Sequence, residues 1–395
     1  MQESHPMLNR YVIPDMPSAD ELLPYLRQID DKRWYSNFGP QVALFEQRLE
    51  HYLATKNNVA EHGIAALTLM SCYHALQIGL QVMHLPPKAK VLIPAVTFPA
   101  CPLAVRHAHA EPVLADIDGS TWHLTPEIAK TIASQNQIHA VMPVAVYGVP
   151  VDAAAWDQFT SDTKIPVIID AAAALEAQAI PKTTLVAHSM HATKPFSIGE
   201  GGVLVSHNRD LIHEARCISN FGTQHRIALQ DGSNAKMSEY QAAVALAQLD
   251  RWQTVKQRRR DVFTRYRKAI EKANLGLQFQ HGIEQAITST LMLKGTGNRS
   301  SHIVNNMNAR GIMAHRMYMP PLYHHPYFAD LSVINQEGKA LPGTASFEQK
   351  KTLMHNSEEM QQNTFGIPFH TFLSNADIAF TLQALAEAMQ TPSHS

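Results

Sequence analysis

An α/β chain with a largely parallel sheet, followed by a smaller α+β unit, is the fold class that three features of the sequence predict. Between about residues 40 and 250, short β-branched or apolar runs alternate with stretches of helical periodicity, as in a sheet covered on both faces. Past about residue 256 that alternation gives way to a different pattern. The chain has 395 residues, 45% of them apolar and 17% charged, which is too long for one typical core and is a globular composition. The expected division is therefore residues 1–255, with a helical segment at the N-terminus, and residues 256–395.

In chain order the predicted strands are Ile64–Met70, Val91–Pro94, Pro112–Asp116, Ala140–Val144, Val167–Asp170, Thr184–His188 and Gly202–Ser206. These are short apolar runs, of a length that suits strands better than helices. The best-marked helix follows. Ser238-x-x-Gln241 forms a capping box, in which each residue satisfies a free backbone donor of the other, and Tyr240, Val244, Ala247 and Trp252 recur at helical spacing. This helix leads out of the first unit. Beyond it the sequence predicts a helix through Ala269, a strand over Ile287–Leu293, a helix over Ser301–Ala309 and a terminal helix over Asp377–Met389, with Thr391–Ser395 a frayed end.

Charge and cysteine usage exclude several classes. With 33 basic and 34 acidic residues the net charge is −1, so no global field draws the chain to nucleic acid or an anionic membrane. The one basic run, Lys256–Arg260, lies in a helical pattern and reads as a solvated helix face. Cys72, Cys101 and Cys217 contain no Cys-x-x-Cys, which rules out a disulfide framework and a cysteine zinc site. Met1–Pro6 lacks a leader pattern and no apolar run approaches the ~18 residues of a membrane span, so a cytoplasmic protein is expected. His107-Ala-His109 would share a strand face, but nothing beside it completes a metal site. Gly295-Thr-Gly297 reads as a turn rather than a dinucleotide loop.

The informative stretch runs from residue 166 to residue 206. Pro166–Asp170 is a buried strand ending in one carboxylate, and at the carboxyl edge of a parallel sheet such a group faces the ligand crevice. A second apolar run, Thr184–His188, leads into Ser189-Met-His191-Ala-Thr-Lys194, so a lysine arrives on a loop near the same edge. A strand-end carboxylate with a strand-end lysine is the minimal kit for pyridoxal phosphate: the lysine forms an imine and the carboxylate keeps the pyridine nitrogen protonated. Neither residue alone is specific, since Asp170 also suits a helix cap and Lys194 the surface. The small residues Ala171–Ala174 favour the kit, because a flat ring needs a wall without bulk.

Over nearly its whole length the sequence resembles the DegT/StrS-type sugar aminotransferases. The matching segments are Ser36-Asn-Phe-Gly-Pro40 followed by Phe45-Glu46, Ile93-Pro-Ala-Val-Thr-Phe98, Ala115-Asp-Ile-Asp118, Pro143-Val-Ala-Val-Tyr-Gly-Val-Pro150, Ser189–Gly202, and Gly232-Ser-Asn-Ala-Lys-Met-Ser-Glu239 with Gln241. The resemblance implies the fold type I architecture of pyridoxal phosphate enzymes, with a mostly parallel seven-stranded sheet. It makes Lys194 the imine-forming lysine, Asp170 the partner of the ring nitrogen, Ala172 and Phe98 the two ring faces, and Ser189 a phosphate ligand. Asn234 resembles the asparagine that reaches the phosphate from the neighbouring subunit, which implies a homodimer.

Two departures stand out. Ser71-Cys72-Tyr73 falls where the family usually has Ser-Gly-Thr, so the backbone N–H groups of Cys72 and Tyr73 remain for phosphate, the threonine hydroxyl is lost, and Tyr73 must point away or change the contact. Ala173 stands where many relatives carry Gln or His. Arg316-Met-Tyr318-Met-Pro-Pro-Leu322 resembles a segment near the substrate. The implied reaction moves an amino group from glutamate through pyridoxamine phosphate to a keto sugar linked to a nucleotide. Apolar walls are expected to depress the pKa of Lys194. A cyclitol or other ketone as acceptor, and a non-catalytic member of the fold, are the alternatives.

Overall fold

A computed structural model describes residues 6–60 and 62–391. Of the Met1–Pro6 stretch only Pro6, and of the Thr391–Ser395 end only Thr391, falls among the described residues. Two helices lead in, α1 (Ala19–Lys32) and α2 (Pro40–Lys56). A capping box at Ser18 opens the first, and Pro40, whose fixed φ suits a first turn, opens the second.

Strands and helices then alternate: β1 (Ala65–Leu69), α3 (Cys72–Gln81), β2 (Lys90–Pro94), α4 (Ala100–His107), β3 (Glu111–Ala115), α5 (Pro126–Gln135) and β4 (Ala140–Val141). They continue with α6 (Ala153–Thr163), β5 (Ile168–Asp170), β6 (Leu185–Ser189), β7 (Gly202–Ser206) and α7 (Arg209–Ile218). The seven predicted runs are these seven strands. They lie in the order β1, β7, β6, β5, β4, β2, β3, with bridges Val141 to Val167 and Val144 to Asp170 joining the β4 and β5 segments in parallel. β7 alone among the seven is antiparallel to its neighbours, β1 and β6. Strands β1, β5, β6 and β7 are buried throughout, as a doubly covered sheet requires.

A short hairpin, β8 (Thr223–Gln224) and β9 (Ile227–Ala228), precedes α8 (Glu239–Ala273). The Ser238–Gln241 capping box forms as the sequence predicts, and α8 then runs unbroken for 35 residues. Its first part, Ala242, Leu246, Trp252 and Val255, packs in the core beside α2 and the sheet. Its second part, Val262, Tyr266 and Ile270, packs in a separate core. That second core is built on β10 (Gln278–Phe279), β11 (Leu291–Lys294) and α9 (Ser300–Ala309). The chain goes on through β12 (Val333–Ile334), β13 (Ala340–Leu341), α10 (Phe347–Leu353), α11 (His355–Asn363), β14 (Thr364–Ile367) and α12 (Asn375–Gln390). β14 pairs with β11, and α12 closes the core.

Three expectations are corrected. The strand foreseen over Ile287–Leu293 begins only at Leu291. The run Lys256–Arg260 is a solvated face only in part: Gln257, Arg258 and Arg260 are exposed, but the helical period points Lys256 and Arg259 inward, where Lys256 pairs with Glu176 at 2.7 Å and Arg259 donates to Thr288 O. His107 and His109 do not share a strand, since His107 ends α4 and His109 follows in a left-handed turn. Several elements cross the expected division: β12 and β13 extend the large sheet, and Leu322, Phe328, Met354 and Met360 pack in its core. β12 lies parallel to β3, with Val333 opposite Leu114, so a piece of the C-terminal part extends the large sheet. Among the described residues no helix is long and apolar enough to cross a membrane.

Candidate active site

The carboxyl ends of β1, β2, β4, β5 and β6 converge, and the loops leaving them line one cavity of about 710 Å³. This is the sheet edge where open α/β folds hold their ligands. Of the residues singled out by sequence, Cys72, Tyr73, Phe98, Asp170, Ala172, Ser189 and Lys194 all line it. Asn234 does not. It sits exposed outside the cavity, bridged to Asn220.

Asp170 ends β5 with 5% of its surface exposed. One carboxylate oxygen accepts from the Ala172 N–H at 2.9 Å and the other from the Cys101 thiol at 3.1 Å, while Cys101 in turn contacts Thr97 Oγ1 at 3.1 Å. Burial pushes the Asp170 carboxyl above its ordinary pKa, against the opposing pull of Cys101, the Ala172 N–H and Lys194. Lys194 is half-buried beyond β6. Its expected depression does not occur. Burial does act to lower its pKa, yet Tyr318 and then Asp170 outweigh it and hold the amine above the ordinary lysine value.

At the far end of the cavity Ser71 caps α3, its hydroxyl 2.9 Å from His74 Nδ1. The first N–H groups of the helix, on Cys72 and Tyr73, have no helical acceptor there. The Tyr73 hydroxyl turns to His107 Nδ1, away from these donors, which answers the question that its bulk raised. Ser189 accepts from His191 N at 3.2 Å and keeps its own proton free. Gly202 makes the cradle possible: a Cβ there would stand 2.2 Å from Ser71 C and 2.3 Å from Cys72 N.

Thr97, Cys101, Tyr147 and Tyr318 had no particular role from sequence; Thr97 lay within the matched Ile93–Phe98 segment, while nothing in the sequence marked the Cys101 thiol. A second depression, of about 820 Å³ near Asn335 and Asn356, includes Asp116. That carboxylate is already satisfied by Ser357 and the Asn356 N–H. No cluster of metal-ligating side chains occurs among the described residues.

Residues 18–377 match the DegT/DnrJ/EryC1/StrS aminotransferase family. The chain belongs to that family. As a member it is an aminotransferase that works with pyridoxal 5′-phosphate. Protein Rv3402c of Mycobacterium tuberculosis is 27% identical over 389 residues, covering 96% of this chain and 89% of that one. The dTDP-4-amino-4,6-dideoxy-D-glucose transaminase of Shigella dysenteriae is 25% identical over 386 residues, covering 95% and 97%. The solved structure of a DegT DnrJ EryC1 StrS aminotransferase from Brucella abortus shares the fold with a TM-score of 0.79 at 20% identity, covering 94% and 96%.

Proposed function

We propose that this aminotransferase moves an amino group from glutamate to the keto group of a nucleotide-linked deoxysugar. One observation carries the reading: a buried carboxylate, a lysine and the open start of a helix line the same cavity. These residues fit pyridoxal phosphate. Asp170 has a thiol and one N–H as its hydrogen-bond donors, so it suits a protonated ring nitrogen. The N–H groups of Cys72 and Tyr73 and the free Ser189 proton suit the phosphate. Ala172 offers a wall without bulk, and Phe98, 58% exposed, offers the facing aromatic surface.

When bound, pyridoxal phosphate supplies an electron-accepting ring that spreads the negative charge left when the donor carbon loses its proton. Lys194 would hold the group through its amine and, once free, would be the base that takes up or returns a proton at the donor carbon. Asp170, fixed by Cys101 and Ala172, stabilises the positive ring nitrogen and so the charge that develops. The nucleotide-linked acceptor is supported by the Shigella relative's dTDP-sugar activity. Glutamate as donor rests on the family resemblance. Asn234 is offered to the phosphate of a second subunit, and the exposed Phe221, Ile227 and Leu229 of the same surface region give a homodimer its apolar face. The two units divide near residue 255, inside α8, and the enzyme works in the cytoplasm.

Mixing the purified protein with pyridoxal phosphate tests this. The protein takes up the cofactor, and its absorption band bleaches with glutamate as 2-oxoglutarate forms. A dTDP-linked keto sugar restores the band, whereas a cyclic ketone without a nucleotide does not. Lys194→Ala keeps the fold and loses turnover. Normal turnover by that variant, or no cofactor uptake by the wild type, would sink the proposal.

A further inference from the structure

We propose that Tyr318 is the residue that positions Lys194. Its hydroxyl oxygen accepts a hydrogen bond from the charged lysine amine. This rests on the reading of Lys194 given above.

Three observations point to it. The first is contact: the Tyr318 hydroxyl interacts with the Lys194 amine inside the cavity. The second is elimination. Among the other hydroxyls that line the cavity, Ser71 is engaged with His74, Tyr73 with His107, Thr97 with Cys101, Tyr147 with Met317 O, and Thr193 with His191. Of the remaining two, Ser189 accepts from His191 N and Tyr11 packs its ring on His315, 4.7 Å away. Tyr318 is the hydroxyl that interacts with the amine.

The third is the construction behind it. The Tyr318 ring stacks on Tyr147 at 5.3 Å and 5°, and Tyr147 donates to Met317 O at 2.7 Å, one residue before Tyr318. Both tyrosines have left-handed backbone, φ 60° at Tyr318 and φ 56° at Tyr147, a conformation that bulky side chains rarely keep without surrounding support. Gly148, φ 92°, lets that turn close on the strand end: a Cβ there would meet Ala173 O at 2.8 Å. Leu322 N donates to Ala95 O at 2.9 Å, which ties the Tyr318 segment to the residue after β2. Strained backbone, a parallel stack and an anchored neighbour together hold one hydroxyl in place.

Asp170 and Cys72 also face the amine, while Asp170, Cys101 and Tyr147 face the Tyr318 hydroxyl. Both Asp170 oxygens already have donors in Ala172 and Cys101. A change at Tyr318 is therefore read directly at Lys194.

Tyr318→Phe keeps the ring and the stack and removes only the oxygen. In the cofactor-free protein, the rate at which a small acylating reagent labels Lys194 is followed against pH by mass spectrometry of its peptide. Losing the oxygen removes an interaction that favours the charged amine, so the profile moves to lower pH. At neutral pH Lys194 labels roughly tenfold faster, the factor that a hydrogen bond to a charged group is worth. In the loaded protein, the pH at which the bound cofactor changes colour moves as well. Superimposable labelling profiles in a variant with an unchanged circular dichroism spectrum overturn the proposal. A wild-type protein that binds no pyridoxal phosphate overturns the earlier reading instead, and the labelling profile still judges Tyr318.

Discussion

At the scale of single residues, the Asp170 carboxylate is both the most useful and the least comfortable group in the cavity. Burial raises its pKa, so in the cofactor-free protein its contribution to stability is fully present below the ordinary carboxyl pKa and is lost as pH rises through the raised folded value. At neutral pH the ionised group therefore costs stability. Asp170→Asn is expected to leave the melting temperature of the cofactor-free protein equal or higher, and to cut pyridoxal phosphate retention and turnover by about 100-fold or more. Calorimetry and a cofactor titration on the same samples check both halves; tight cofactor binding by the variant would remove Asp170 from its role. Asp170 was legible in the sequence as a candidate because it closes an apolar run, and Lys194 because it stands on the loop that follows another. Cys101 was not, since a cysteine in a helical stretch carries no sign that its thiol will meet a carboxylate 69 residues away.

At the scale of elements, the approach of β7 to the start of α3 decides the cradle. Gly202→Ala forces a Cβ into Ser71 and Cys72, where the obstacle is backbone rather than a flexible side chain. Overpacking of this kind is expected to cost about 1–3 kcal/mol in chemical denaturation and to weaken cofactor binding more than a surface Gly→Ala control. Within α8, Lys256→Ala leaves Glu176 buried beside Tyr52 and Trp252 without its closest cation, with Lys56 more exposed at 3.3 Å. Breaking a buried pair typically costs about 3–5 kcal/mol, which a urea midpoint resolves from the near-zero effect of an exposed site such as Arg260. The seven large-sheet strands were readable because each lies in a mainly apolar stretch of the sequence, which even the two-residue β4 shares through Met142 to Val144. The two-residue strands β10, β12 and β13 were not, because pieces that short have no period and exist only through the strand beside them. The basic run misled for a related reason: its charge was visible, but its inward face was set by α8's neighbours.

At the scale of the whole molecule, three histidines titrate together. Burial lowers His123, His188 and His315 each to about 4. A base with a lowered folded pKa contributes stability that is present above its unfolded pKa and lost as pH falls toward the folded value. The protein is therefore expected to lose stability between about pH 6.5 and pH 4, by roughly 1–3 kcal/mol per ring. Melting curves across that range check this, and His188→Gln should flatten the slope; a pH-independent midpoint would refute it. The second core around Val262, Tyr266 and Ile270 falls in the stretch past residue 256 where the pattern changes. The return of β12 to the first sheet was not legible, because two residues beside β3 leave no trace in periodicity.

That returning hairpin constrains motion. A chain whose second half is riveted to the edge of the first, and also supplies Tyr318 and Arg316 to the shared cavity, has little freedom to swing like a jaw. The pairing that ties Val333 and Ile334 to the sheet edge therefore also limits how far the Tyr318 wall of the cavity can travel from the Asp170 wall.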